Sequence, residues 1–264
     1  MSTHITSFVI SGDLAHFRKP ASNMSRLTYY VPPKMTVAGL LSAICGFEQD
    51  SYYDVFSPEN YALSVEPLRP VRTITIPQNV MGTSSENLLK TYNNRGKGPK
   101  LQLIDPTEHR KQRVFEYVKR PKYRINFTLE NTELQEEITD RLLNSNYKYT
   151  PSLGSAKCIS RIHSGSVTVQ DATKVNENTI ISLKNPVTDF EAIQSPTEGQ
   201  IITEKITSGF DITEGSRGTN QRQSIGFIRY LYRKDMQSNP LQINPAETTD
   251  TIFQCEDGSF LTLY

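Results

Sequence analysis

The alternation of apolar and polar residues predicts strands and helices in a mixed order along the first part of the chain. Residues 5–10 form a short apolar run that is typical of a buried strand. Apolar residues then recur at helical spacing from Val37 to Ile44. The pattern therefore predicts a helix that begins after an N-cap at Thr36 and ends before Gly46.

Strict alternation predicts a half-buried strand over residues 122–129, in which Tyr123, Ile125, Phe127 and Leu129 face the core. Its other face is partly cationic. The sequence Thr-Glu-Leu-Gln at residues 132–135 is a capping box, which predicts a second amphipathic helix. Further strands are predicted over residues 72–76, 158–169, 178–183, 200–206 and 225–232, and in a final hairpin that turns at Asp257-Gly258.

Up to residue 169 the predicted order is strand, helix, strand, long insertion, strand, helix, strand. This is the β-α-β-β-α-β plan of the ferredoxin-like fold, which also builds the RNA-recognition motif (RRM). We therefore predict an α+β, ferredoxin-like or RRM-like domain over residues 1–170, and a smaller, mostly β region over residues 171–264. Gly and Pro punctuate residues 81–120, which indicates an exposed insertion. The sequence fingerprint of the RRM is not visible, and the fold plan alone does not predict RNA binding.

Charge is distributed unevenly along the chain, although the net charge is only +1. Residues 90–124 contain eleven Lys or Arg and three acidic residues, a local net charge of +8. A basic segment on a mildly acidic body indicates a localised nucleic-acid interface. A solvated loop with a chance cluster of charge is the alternative. The hydrophobic fraction of 36% is enough for a packed core.

Motifs for metal, nucleotide and hydrolase chemistry are missing from the sequence. The three cysteines are far apart and form no CxxC pair, and the four histidines are scattered. There is no phosphate-binding loop, no GxGxxG, no GxSxG and no HExxH. We therefore expect no cofactor and no metal. Since no apolar run approaches the length of a membrane span and no signal peptide is evident, we expect a cytoplasmic protein.

RNA binding requires cations for phosphates and flat groups for unstacked bases. Both residue types follow the first strand, and they recur in the second half of the insertion. The candidate RNA-binding residues are Arg18, Lys19, Arg26, Tyr29, Tyr30, Lys34, His109, Arg110, Arg113, Lys119, Arg120 and Lys122. A solvated surface remains the alternative for each stretch.

Two other functions remain open. His109, beside Arg110 and Lys111, offers the residue types that metal-free RNA cleavage needs, a proton-transfer group and cations for the phosphate. Alternatively, the chain is chiefly a protein-interaction subunit, with the Tyr- and Arg-rich region around Arg229 as its interface.

Two glycines are predicted to have structural roles. Gly39 lies inside the first predicted helix, where Gly costs about 1 kcal/mol relative to Ala, so close packing on the sheet or against a neighbouring chain is expected. Gly154 ends a Pro-Ser-Leu-Gly turn and should supply a backbone angle that other residues resist.

Several segments together resemble a known family. Residues 10–20 (ISGDLAHFRKP) and 27–46 (LTYYVPPKMTVAGLLSAICG) resemble the N-terminus of CRISPR-associated (Cas) protein family five, most closely its type I-B branch. His109-Arg110, residues 115–125 (FEYVKRPKYRI) and 150–156 (TPSLGSA) resemble later segments of that branch. The resemblance extends over residues 5–160, and the last hundred residues match only loosely.

The resemblance implies a modified ferredoxin-like domain with a thumb-like β-hairpin over residues 72–122. It implies a non-catalytic, RNA-binding subunit of a Cascade-type ribonucleoprotein in antiviral defence, which caps the 5′ handle of the CRISPR RNA (crRNA). The implied partners are that handle, the multi-copy backbone subunit, the large subunit, and target DNA beside the protospacer-adjacent motif. The type I-C branch cuts repeat RNA itself, but its cutting residues have no clear match in this chain.

Overall fold

The computed structural model describes residues 2–20, 25–81, 110–194, 201–214 and 220–264. In chain order, the elements are β1 (Ser2–Gly12), β2 (Leu14–Ala15), β3 (Phe17–Arg18), β4 (Ser25–Arg26), β5 (Thr28–Tyr29), α1 (Lys34–Cys45), β6 (Tyr61–Pro67), β7 (Thr73–Met81), β8 (Arg110–Lys119), β9 (Lys122–Leu129), α2 (Thr132–Leu143), β10 (Ser160–Val175), β11 (Ile181–Leu183), β12 (Ile201–Thr207), β13 (Phe210–Glu214), β14 (Asn220–Ser224), β15 (Phe227–Arg233), β16 (Leu241–Ile243), β17 (Ile252–Cys255) and β18 (Phe260–Thr262).

A six-stranded sheet in the order β18-β17-β10-β1-β9-β6 forms the centre of the protein, and all neighbouring strands in it are antiparallel. Leu63 of β6 and Tyr264 exchange two backbone hydrogen bonds of 3.0 Å, which join the two ends of the sheet. The sheet therefore closes on itself. The predicted mixture of helices and strands is confirmed. The predicted boundary at residue 170 lies within β10, and β17 and β18 pair into the same sheet.

The alternation along β9 gives the sheet one apolar face, as the sequence predicts. Tyr123, Ile125, Phe127 and Leu129 are all buried. The ring of Phe127 packs edge-to-face against that of Phe8, with the centroids 6.3 Å apart. This face carries the core against which α1 and α2 pack.

Helix α1 begins earlier than the sequence predicts. Its N-cap is Pro33, whose carbonyl oxygen accepts from Thr36 N at 2.9 Å, so the prediction of Thr36 as the N-cap is wrong. The extended Pro33 backbone leads directly into the first turn. Gly46 ends the helix at φ 86°, as predicted. A Cβ on Gly39 would lie 3.0 Å from Tyr52 Oη, so the packing is close as predicted, but the partner is the segment between α1 and β6 and not the sheet.

Helix α2 is capped one residue before the predicted capping box. Asn131 is the N-cap, and its Oδ1 accepts from Leu134 N at 3.0 Å. The Gln135 side chain does not reach back to the cap. It accepts from Leu129 N at 2.8 Å and donates to His4 O at 3.2 Å, and so ties the helix to the sheet.

Strands β7 and β8 form the predicted hairpin, with registers from Thr73 opposite Val118 to Met81 opposite Arg110. The prediction that this whole segment is exposed is wrong for the end of β8, where Phe115, Tyr117 and Val118 are buried. The reason is that β8 also pairs with β2 and β4, which hold it against the body.

The remaining strands form small two-stranded sheets, in which β3 pairs with β5, β11 with β16, β12 with β15, and β13 with β14. The predicted strands over residues 200–206 and 225–232 and the C-terminal hairpin are all present. Within the described ranges, no helix combines the length and the apolar character that a membrane crossing requires.

Candidate nucleic-acid interface

Cations and aromatic rings come together at the base of the β7–β8 hairpin. We call this group the hairpin-base cluster, and its members are His16, Arg26, Gln78, Phe115, Tyr117 and Lys157. Phe115 and Tyr117 are two residues apart on β8, so their side chains lie on one face of the hairpin. The parallel pairing of β4 with β8 places Arg26 opposite Phe115.

Cations cover the two rings of β8. Lys157 Nζ lies 4.4 Å from the Phe115 centroid and 5.4 Å from that of Tyr117, and the Arg26 guanidinium lies 5.1 Å from the Phe115 centroid. These are cation–π distances. Lys157 Nζ also donates to Gln78 Oε1 at 2.7 Å, and Gln78 Nε2 donates to Tyr117 Oη at 3.0 Å. Because the rings are buried, they position the cations and cannot themselves stack on bases.

His16 lies beneath this layer of positive charge, only 6% exposed. Its Nδ1 is 2.8 Å from the carbonyl oxygen of Glu116, so Nδ1 carries the proton and donates it. Burial lowers the pKa of His16, and the positive charges of Lys157, Arg26 and Arg18 lower it further. The hydrogen bond to Glu116 O raises the pKa but does not offset these effects. The ring is therefore neutral at pH 7. Sequence reasoning missed His16, because its partners lie in distant segments.

The turn that contains Gly154 positions Lys157 in the hairpin-base cluster. His16 N donates to Leu153 O at 3.1 Å, which docks the turn against the segment between β2 and β3. Gly154 has φ 84°, and a Cβ there would lie 2.4 Å from His16 O. The predicted structural role of Gly154 is thus confirmed, and it rests on close approach as well as on backbone angle.

A second group of charged and aromatic side chains surrounds a buried carboxylate. Lys19 Nζ lies 2.6 Å from Glu204 Oε1, and Tyr232 Oη donates to the other carboxylate oxygen. The same ammonium lies 5.2 Å from the Tyr29 ring and 5.3 Å from the Tyr30 ring. Lys19, a predicted phosphate contact, therefore balances an internal charge in this structure.

Two other predicted RNA-binding residues are buried. Tyr29 is 9% exposed, and its hydroxyl donates to Lys205 O at 2.7 Å. Lys34 is 2% exposed, and its Nζ lies 5.3 Å from the centroid of the Tyr61 ring. Contact of either side chain with RNA would require this packing to open. Tyr30 is only half-buried and keeps part of its surface free.

Burial of Lys34 makes stability depend on pH. The loss of hydration lowers the pKa of its ammonium from 10.5 to about 8. Between these two values the unfolded chain binds the proton and the folded chain does not. The free energy of unfolding therefore rises with pH across that window, as the penalty for burying the charge is relieved.

The other predicted residues lie at the surface or outside the described ranges. Arg18, Lys119 and Arg120 are exposed, and Lys122 and Arg113 are half-buried. His109 lies outside the described residues, and so does the side chain of Arg110. Arg26 is the one member of the hairpin-base cluster that belongs to the predicted set. His16 and Lys157 are members that the sequence did not predict. Arg18, which was predicted, lies close enough to lower the pKa of His16.

A cavity of about 810 Å³ opens on the polar face of the main sheet. Arg124, which lines it, is paired with Glu66 at 3.0 Å, and Glu256 and Asp257 add negative charge. Ser7 and Asn126 are hydrogen-bonded at 2.7 Å on the same face. This mixture of charges does not favour a polyanion, so the hairpin-base cluster is the stronger candidate site for RNA.

The chain belongs to a family of CRISPR-associated proteins. The model of the family described as CRISPR-associated protein (Cas_Cas5) matches residues 7–193, well over half of the chain. No curated protein matches the sequence.

Solved structures resemble the chain at low sequence identity. A crystal structure of a CRISPR protein from Archaeoglobus fulgidus has a TM-score of 0.58 and 11% identity, over 98% of this chain and 99% of that chain. The likeness shows that the fold is shared. A chain of a CRISPR RNA-guided surveillance complex is similar at a TM-score of 0.48 and 11% identity, over 91% of each chain.

Proposed function

We propose that this protein is a non-catalytic subunit of a type I-B, Cascade-type surveillance complex, and that it binds and caps the 5′ handle of crRNA. The observation that carries the proposal is the hairpin-base cluster. Buried rings hold Arg26 and Lys157 in place, and in the described part of the chain neither cation has a carboxylate partner. Cations held in this way suit the phosphates of a nucleic acid.

Family membership and strand order support the same proposal. The match to the Cas5-type family supports the proposal that the protein works in a crRNA-guided complex. The order β10-β1-β9-β6, with helices after β1 and β9, supports the ferredoxin-like interpretation. The proposed partners are the multi-copy backbone subunit, the large subunit, and target DNA beside the protospacer-adjacent motif. The proposed setting is the cytoplasm.

The test is a titration of labelled repeat RNA with purified protein in EDTA, analysed on one gel for both shift and cleavage. We expect a shift without product. Replacing Arg26 and Lys157 by Ala should weaken binding and reduce the slope of log affinity against log salt by about 1.4, since each cation on single-stranded RNA contributes roughly 0.7. The matched control replaces Lys174 and Lys184, two exposed cations elsewhere, and should keep the wild-type slope.

Other outcomes would select the alternatives. An unchanged slope in the Arg26 and Lys157 variant would refute the assignment of the cluster. A defined product in EDTA that is lost in His109→Ala would make the protein a repeat-RNA endoribonuclease. Neither shift nor product would favour the interaction-subunit alternative, in which the exposed Arg229 region faces a protein partner.

A further inference from the structure

A basic pocket, separate from the hairpin-base cluster, lies between the loop that follows α2 and the start of β10, with a volume of about 400 Å³. We call it the Lys148 pocket, and the lining residues that matter here are Tyr147, Lys148, Tyr149, Ser160 and Arg161. Its volume falls within the range of small-ligand sites. The hairpin-base cluster does not include any of these residues.

The charge of the Lys148 pocket is wholly positive. Lys148 and Arg161 are exposed, and among the described residues neither is in an ion pair. No acidic residue is among the described residues that line the pocket. Two unpaired cations facing one pocket favour an anionic ligand.

Two residues of the pocket lining have buried hydroxyl groups. Tyr147 Oη and Ser160 Oγ are inaccessible to solvent and have no hydrogen-bond partner in the described part of the chain. Buried polar groups are nearly always hydrogen-bonded in native proteins. These two hydroxyls would donate to a bound oxyanion only after the side chains of Tyr147 and Ser160 turn toward the pocket, whereas Lys148 and Arg161 already face solvent and can neutralise its charge.

The pocket is preformed because its loop is fixed to the end of α1. Lys148 N donates to Ile44 O and Tyr149 N donates to Ala43 O, each at 3.1 Å. These bonds use carbonyl groups that the helix end leaves free. Ser160 N donates to Pro151 O at 3.1 Å and fixes the other side. A rigid wall lowers the entropic cost of binding.

The ring of Tyr149 indicates which anion fits. Tyr149 is 53% exposed and lines the same pocket as the two cations, so its ring is accessible for stacking on an unpaired base. One turn also connects the two sites, because Lys157 belongs to the hairpin-base cluster and Ser160 to the pocket. Three residues span at most about 11 Å. The two sites are therefore close enough in the fold for one single strand to reach both.

We propose that the Lys148 pocket binds a backbone phosphate of the same single-stranded RNA, with Tyr149 stacked on an adjacent base. This inference rests on the proposed function. It adds a second contact point on the far side of the turn, so that the RNA is gripped at two places across residues 151–160.

The test measures the affinity of the folded, full-length protein for labelled single-stranded repeat RNA over a series of salt concentrations. Replacing Lys148 and Arg161 by Ala should lower the salt slope by about 1.4, as expected for two phosphate-binding cations. The Lys174 and Lys184 control should keep the wild-type slope. Tyr149→Ala should weaken binding at least about fivefold and Tyr149→Phe should not, because stacking needs the ring and not the hydroxyl.

The outcomes separate this inference from the function on which it rests. A wild-type slope in the Lys148 and Arg161 variant, together with a reduced slope in the Arg26 and Lys157 variant, would overturn the pocket and leave the proposed function standing. Failure of the wild-type protein to bind RNA would overturn both. If 5′-AMP binds by calorimetry and requires Lys148, while RNA affinity does not, the pocket is a mononucleotide site and the inference is wrong.

Discussion

Replacing Gly154 by Ala should destabilise the protein by about 2 to 5 kcal/mol. Its φ of 84° disfavours any side chain, which costs about 1–2 kcal/mol for an L-residue. The added Cβ would also lie 2.4 Å from His16 O and 2.8 Å from Phe17 Cδ1, well inside van der Waals contact. Overpacking of this kind adds typically about 1–3 kcal/mol. The turn cannot move freely, because Leu153 O accepts from His16 N.

Gly258 provides the matched control, because it has φ 80° but nothing within 4 Å of an added Cβ. Gly258→Ala should therefore lower the free energy of unfolding only by the cost of the positive φ, about 1–2 kcal/mol. Urea unfolding of both variants measures the difference. Equal losses would refute the claim that the docking of the turn on His16 requires glycine. Gly154→Ala should also weaken RNA binding, since the turn positions Lys157, whereas Gly258→Ala should not.

Two further predictions concern stability. Lys34→Met should stabilise the protein by about 3 kcal/mol at pH 7, since the pKa of Lys34 lies near 8 in place of 10.5 and each unit corresponds to about 1.36 kcal/mol. The difference in free energy of unfolding between Lys34→Met and wild type, measured in urea, should shrink by about 2 kcal/mol at about pH 9.5. A difference that does not change with pH would contradict the burial of a charged Lys34. Asn131→Ala should cost about 1 kcal/mol through loss of the N-cap of α2, and Thr132→Ala should cost less. The reverse order would restore Thr132 as the capping residue.

Local patterns were sufficient to predict the elements whose residues carry their own signal. The alternation at Tyr123, Ile125 and Phe127 predicted both the strand and its buried face. Gly46 and Gly258 were predicted at turns and have positive φ. In each case the cause is steric or periodic, and a few neighbouring residues determine it.

Features that depend on distant partners were not predictable in the same way. The charges of β8 indicated an exposed segment, although Phe115 and Tyr117 alternate along it and could have indicated a buried face. Tyr29 and Tyr30 are adjacent in sequence, yet one is buried and the other keeps free surface. The hairpin-base cluster combines side chains from five separate parts of the chain, and no local spacing predicts that meeting.

The two hydrogen bonds between Leu63 and Tyr264 also affect how the protein folds and how readily it aggregates. They cover the β6 edge at Leu63, so another chain has less of that edge to pair with and aggregate. They also join segments that are very far apart in sequence, which makes for slow, high-contact-order folding. During synthesis, β6 gains this partner only after residue 264 has been made, and the unpaired edge at Leu63 is open to aggregation in that interval.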